Sequence, residues 1–233
     1  MRLLLLSNSR NPGGGWLDHA EDEIRDFLGP PSAPLLFFPF AAVSIGFDAY
    51  AAMARKRFAR MGYRLIGAHR ARLAAARATA GVVAGGGNTF RLLHEMRRRG
   101  WLPAVRHGVR RGTPFIGWSA GSNLVCPTIR TTNDMPVVEP RSLSAMGLVP
   151  FQLNPHYTER SLSGHGGETR DQRIAEFLAL NPGVLVLGLR EGSLLRCEGR
   201  RLELRLGPGA KLFSASSRTK NIKAGSDLSF LLR

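Results

Sequence analysis

The feature that most restricts the fold is an alternation of short apolar runs with stretches whose apolar residues recur at helical spacing. The strand candidates are Arg2–Leu6, Leu35–Phe38, Tyr63–Gly67, Gly81–Ala84, Pro114–Gly117, Phe151–Asn154 and Val184–Leu187. Helical stretches lie between them at Leu17–Leu28, Phe47–Met61, Ala71–Ala78, Thr89–Arg99, Leu102–Arg111 and Thr169–Leu180. Apolar strands separated in this way predict βαβ units and an α/β fold with a mostly parallel sheet flanked by helices. After about residue 188 the pattern changes. Ser193–Cys197 and Arg201–Leu206 flank Glu198-Gly199-Arg200, which predicts a C-terminal β-hairpin, and the Gly-, Ser- and Lys-rich tail from Gly207 reads as peripheral strand and loop. Without a linker, repeat or low-complexity segment, residues 1–233 are expected to form a single domain.

Composition removes several function classes. No apolar run approaches the roughly 18 residues that a membrane-spanning helix needs. Met1–Leu6 has too short an apolar part for a signal peptide and is followed at once by Asn8, Ser9 and Arg10, so it reads as the first strand. Two cysteines, Cys126 and Cys197, are too few for a disulfide scaffold or a zinc site, and they suit a reducing cytoplasm. The net charge of +16 raises the question of nucleic acid. Its arginines are spread over helix faces, such as Arg55, Arg57 and Arg60 or Arg97, Arg98 and Arg99, with no interleaved aromatics to stack bases. The expectation is a solvated basic surface, with no nucleic-acid or membrane partner.

The motif that carries chemistry is Gly117-Trp118-Ser119-Ala120-Gly121, between the apolar run Pro114–Gly117 and the start of a helix. This is the setting of a nucleophile elbow. Reversing the chain within a few residues strains the backbone of the central residue, and Gly117, Ala120 and Gly121 provide the space for it. Ser119 would then stand clear of the sheet, with the amide of Ala120 aimed at charge developing on a bound carbonyl.

A second turn, Gly85-Gly86-Gly87-Asn88-Thr89, follows another strand and opens a helix capped by Asn88 or Thr89. It lacks the third glycine of a dinucleotide fingerprint and the Gly-Lys-Ser/Thr of a P-loop. Its bare amides lie at the carboxyl end of a strand, where open α/β sheets bind ligands, and Gly86 or Gly87 would complement Ala120 in an oxyanion hole. A nucleophilic serine needs a base and the base an orienting acid. Of six histidines, His156 stands out, after Pro155 at the end of an apolar strand, with His165 in a Gly-rich loop as a weaker candidate. For the acid, Asp134 lies in the polar loop Thr131–Pro136, and Glu139 is close behind.

Taken in order, SNSR near the start, GGGNTF, GWSAG, TIRTTNDMP, NPH and GETRDQRI resemble the peptidase E family, the α-aspartyl dipeptidases of family S51. The resemblance implies a fold related to class I glutamine amidotransferases, with serine in place of their elbow cysteine. It also implies a catalytic Ser119, Asp134 and His156, an oxyanion loop at Gly86 and Gly87, and an aspartate-recognising Arg170. No cofactor or metal is implied. The expected substrate is a small peptide with an N-terminal aspartate, cleaved by a cytoplasmic monomer or homodimer. An aspartyl side chain calls for a bidentate cation, which Arg170 or Arg130 would supply; Glu168 would meet the substrate ammonium, and Asn88 is counted among the substrate-binding positions. A cyanophycinase-like exopeptidase and an α/β-hydrolase esterase are the alternatives. The second leaves little room for its usual elements between Ser119 and His156.

Overall fold

A computed structural model describes residues 1–160 and 166–233. His165 lies outside the described residues. The strands are β1 (Arg2–Leu6), β2 (Leu35–Phe38), β3 (Leu65–Gly67), β4 (Gly81–Ala84), β5 (Phe115–Trp118), β6 (Gln152–Tyr157), β7 (Val186–Arg190), β8 (Leu194–Glu198), β9 (Arg201–Arg205), β10 (Ala210–Phe213) and β11 (Lys220–Ile222). The helices are α1 (Glu21–Leu28), α2 (Phe47–Arg60), α3 (Thr89–Arg98), α4 (Trp101–Arg110), α5 (Ala120–Asn123) and α6 (Arg170–Ala179). Seven strands form one sheet in the order β3-β2-β4-β5-β1-β8-β9. The first five run parallel, and the β8–β9 hairpin adds antiparallel to β1.

Leu3 to Leu6 are all fully buried, which follows from a parallel sheet covered on both faces. Side chains alternate across a strand. Leu3 and Leu5 therefore enter the core shared with α3 and α4, while Leu4 and Leu6 enter the one shared with α1 and α2. Each such leucine contributes about 1.5–3 kcal/mol of transfer free energy.

The structure departs from the expected fold in three respects. The runs Phe151–Asn154 and Val184–Leu187 do not join the main sheet. As β6 and β7 they pair in parallel in a second, four-stranded sheet, β11-β10-β7-β6, in which the tail supplies β10 and β11. Apolar runs alone cannot say which sheet a strand enters. The helix expected over Ala71–Ala78 is only 3-10 turn, at Ala68–Arg70 and Leu73–Arg77, because its alanines bury no continuous apolar stripe. One arginine expected on a solvated helix face is structural, and so is one in the C-terminal hairpin. Arg57 is buried against Asp18 and Glu21, and Arg196 against Glu23, Asp26 and Glu198.

No described helix is long and apolar enough to cross a membrane. The carboxyl ends of β1 and β5 are joined by Ser119 N–H to Leu6 O at 3.1 Å, and α5 is tied to β6 by Asn123 Nδ2–H to Leu153 O at 2.9 Å.

Candidate active site

Ser119 sits between β5 and the single turn of α5, with φ 52° and ψ −114°. The helix begun here is one turn long. The small residues around it are obligatory. A Cβ on Gly117 would fall 2.6 Å from the backbone carbon of Gly121, and one on Gly121 would fall 2.1 Å from Ala84 O. A non-glycine residue held in this backbone region is strained, and such strain persists where neighbouring contacts over-determine the conformation.

His156 also has a positive φ, 54°. It occupies a bulge in β6. Pro155 pairs with Leu189 and Tyr157 with Arg190, leaving His156 out of register. The bulge turns the ring toward the elbow, and Nε2 lies 3.0 Å from Ser119 Oγ. On the other side of the ring Nδ1 lies 2.6 Å from Glu191 Oε1. A carboxylate only accepts, so Nδ1 carries the proton and Nε2 is left to take one from the serine hydroxyl.

The carboxylate at His156 is therefore Glu191 and neither of those named from the sequence. Asp134 Oδ2 accepts the Thr89 backbone N–H at 2.7 Å, the Thr89 hydroxyl at 2.5 Å and the Thr132 hydroxyl at 3.1 Å. The physical reason is that loop 131–135 folds over the start of α3, where unpaired helix amides attract a carboxylate. Glu139 meets the ring of His94 through its carbonyl, at 3.4 Å. Glu191 gave a weak sequence signal. It is an acidic residue one position past an apolar strand that runs parallel to the histidine's strand, and the pairing of those strands is invisible in one dimension.

The glycine loop meets the elbow from β4. The amides of Gly85 and Asn88 donate to Phe38 O at 3.2 Å and Ala41 O at 2.8 Å, and between them stand those of Gly86 and Gly87. A Cβ on Gly86 would lie 3.2 Å from the Ser119 Cβ, so the loop passes directly beside the nucleophile. The Tyr50 hydroxyl donates to Gly86 O at 3.0 Å and fixes the peptide plane. Asn88 caps α3 through Arg91 N–H and donates to Met135 O at 2.7 Å, so its side chain is engaged in building the loop.

Among the arginines, Arg170 starts α6 behind a Thr169–Gln172 capping box and donates to Asn133 Oδ1. Asn133 Nδ2 donates in turn to Pro155 O at 2.8 Å, the residue before His156. Among the described residues Arg170 makes no ion pair, and burial, followed by the charge of Arg173, depresses its guanidinium pKa. Arg130 is not brought to this place. It stacks on Phe177 with 5.0 Å to the ring centroid and donates to Asn181 Oδ1 at 3.0 Å, toward the other end of α6. Glu168 lies 3.7 Å from Arg173 on the surface.

Residues 3–205 match the model of peptidase family S51. The chain belongs to that family. Its relatives match over nearly their whole length. The peptidase E of Nostoc sp. is 44% identical over 233 residues, covering 99% of this chain and 96% of that one. The peptidase E of Streptomyces coelicolor is 48% identical over 238 residues, covering 100% and 95%. A solved peptidase from an acI-B1 actinobacterium superposes with a TM-score of 0.74 at 13% identity, over 98% of this chain and 96% of that one, and so shares the fold. As an S51 member the chain is a peptidase, and its elbow, glycine loop and bulged histidine are the features through which peptide hydrolysis can be read.

Proposed function

We propose that this S51 peptidase is a serine-type dipeptidase that cleaves Asp-Xaa through an acyl-enzyme on Ser119. The observation that carries the reading is the 3.0 Å approach of His156 Nε2 to Ser119 Oγ, made between two residues held in left-handed backbone conformations. His156 takes the hydroxyl proton as Ser119 attacks the aspartyl carbonyl, and Glu191 holds Nδ1–H and stabilises the imidazolium. The N–H groups of Gly86 or Gly87 and of Ala120 receive the oxyanion. His156 then passes its proton to the leaving amine. In the second half it activates water against the aspartyl ester, which releases aspartate and regenerates the hydroxyl. Arg170, partly buried and without an ion-pair partner among the described residues, would face the substrate's side-chain carboxylate through its planar fork.

The test is a panel of X-Leu dipeptides, with X varied over Asp, Glu, Asn and Ala, run on the wild type and on Ser119→Ala. Hydrolysis confined to Asp-Leu and lost in the folded variant is the expected result. Full Asp-Leu hydrolysis by Ser119→Ala ends the mechanism, and equal hydrolysis of Ala-Leu ends the specificity.

A further inference from the structure

The end of β1 is chemically odd. Four buried leucines are followed by two residues that are buried just as deeply but are polar: Ser7 is 0% and Asn8 1% exposed. Burying a hydroxyl or an amide costs about 1–3 kcal/mol unless it is hydrogen-bonded, so the location of their partners is informative.

Ser7 Oγ donates to Leu189 O at 2.8 Å and accepts the backbone N–H of His156 at 2.9 Å. One hydroxyl thus joins the histidine's strand to the glutamate's strand at the bulge, where the ladder itself supplies no bond. Ser7 N–H donates to Ser193 O at 3.0 Å. Asn8 Oδ1 accepts Gly192 N–H at 2.7 Å, immediately after Glu191, while Asn8 Nδ2 is braced by Arg10 O at 2.7 Å and Asn11 Oδ1 at 2.8 Å. The residue before them, Leu6, accepts Ser119 N–H at 3.1 Å. Three consecutive residues, the last of β1 and the two that follow it, therefore hold the backbone at or beside Ser119, His156 and Glu191. An alanine would fill either polar position in the core; what it would remove is the tie between the ring and its carboxylate.

We infer that Ser7 and Asn8 are positioning residues for hydrolysis, setting the register of His156 and Glu191 relative to each other and to Ser119. This rests on the mechanism proposed above. Neither side chain contacts the reacting atoms, and both act by fixing the geometry in which Nδ1–H meets Glu191.

The experiment measures kcat and KM for Asp-Leu, and the rate at which a fluorophosphonate labels Ser119, in Ser7→Ala, Asn8→Ala, Glu191→Gln and the two double variants. Labelling needs only an activated hydroxyl, so it does not depend on the substrate assignment. Each of the Ser7 and Asn8 variants is expected to lower kcat and the labelling rate about 10- to 100-fold, with KM within about twofold. In the Glu191→Gln background the same changes should add less than about threefold, because the pair they align is already broken. The low-field proton resonance of His156 Nδ1–H should shift or disappear in the single variants. Wild-type rates in Ser7→Ala and Asn8→Ala, or losses that multiply fully in the Glu191→Gln background, overturn the inference. Should Ser7→Ala not fold, Ser7→Cys and Asn8→Ala carry the same readouts; failure of all three to fold assigns the residues to stability and also overturns it. Activity surviving in Ser119→Ala defeats the mechanism itself, whereas an inactive Ser119→Ala beside fully active Ser7 and Asn8 variants defeats only this inference.

Discussion

Glu191 Oε1 lies 2.6 Å from Nδ1 of His156, across two parallel strands whose pairing ends one residue earlier. A carboxylate so placed fixes the tautomer that leaves Nε2 free to accept from Ser119. Asp134, three hydrogen bonds deep at the start of α3, holds the glycine loop.

The two acids should therefore fail differently. Glu191→Gln is expected to lower kcat about 10³- to 10⁴-fold and to remove the low-field Nδ1–H resonance. Asp134→Asn should lower kcat about 10²- to 10³-fold through the oxyanion loop and leave that resonance in place. Proton NMR beside steady-state kinetics separates them. Loss of the resonance in Asp134→Asn, and not in Glu191→Gln, would reverse the assignment.

The elbow tolerates no added carbon. Gly121→Ala would force a methyl to 2.1 Å from the backbone Ala84 O at the carboxyl end of β4, and the expected outcome is little or no soluble, folded protein. Gly86→Ala meets side-chain atoms instead, Trp118 Cδ1 at 2.8 Å and Ser119 Cβ at 3.2 Å. It should fold, and lose at least about tenfold in kcat as the nucleophile is displaced. Circular dichroism with kinetics checks both.

Replacing Arg170 with lysine keeps the charge but not the two-pronged geometry. KM for Asp-Leu should rise about tenfold or more, and Arg170→Met should abolish the preference for Asp-Leu over Asn-Leu. An unchanged Asp/Asn ratio in Arg170→Met would place aspartate recognition elsewhere.

Burial pushes the Cys126 thiol up to about 12 and raises that of Cys197 as well. Both should resist iodoacetamide at pH 8 in the folded protein and react on denaturation. The sign for stability follows. The unfolded thiol ionises near 9.0 and the folded one does not, so the contribution of Cys126 is fully present below about 9 and is lost as pH rises toward about 12. Denaturant midpoints measured from pH 8 to 11 should fall, and Cys126→Ala should flatten that decline.

Much of the site was legible because its chemistry is local. The cramped Gly117–Gly121 turn, the bare Gly85–Gly87 loop and the histidine after Pro155 each declare themselves within a few residues. So did most elements of the main sheet, since two-sided burial writes uninterrupted apolar runs. Glu191 did not, because its meaning depends on β7 lying beside β6. Asp134 misled for the converse reason. A carboxylate in a polar loop looks the same whether it serves an imidazole or a helix terminus, and only the fold of loop 131–135 over Thr89 decides. The membership of β6 and β7 in a second sheet was likewise hidden, since nothing in an apolar run names its neighbours.

The placement of β1 bears on how such a molecule comes into being. Leu3 pairs with Phe115 on one side and Cys197 on the other. During synthesis on a ribosome its run of leucines can pair with β5 on one side but lacks its other neighbour until β8, far along the chain, has emerged. Contacts so distant along the chain close slowly, and the greasy strand is meanwhile open to misassociation. Dependence on chaperones and a late onset of activity during translation are the physiological signature to expect from a sheet that closes around β1 only when β8 joins it.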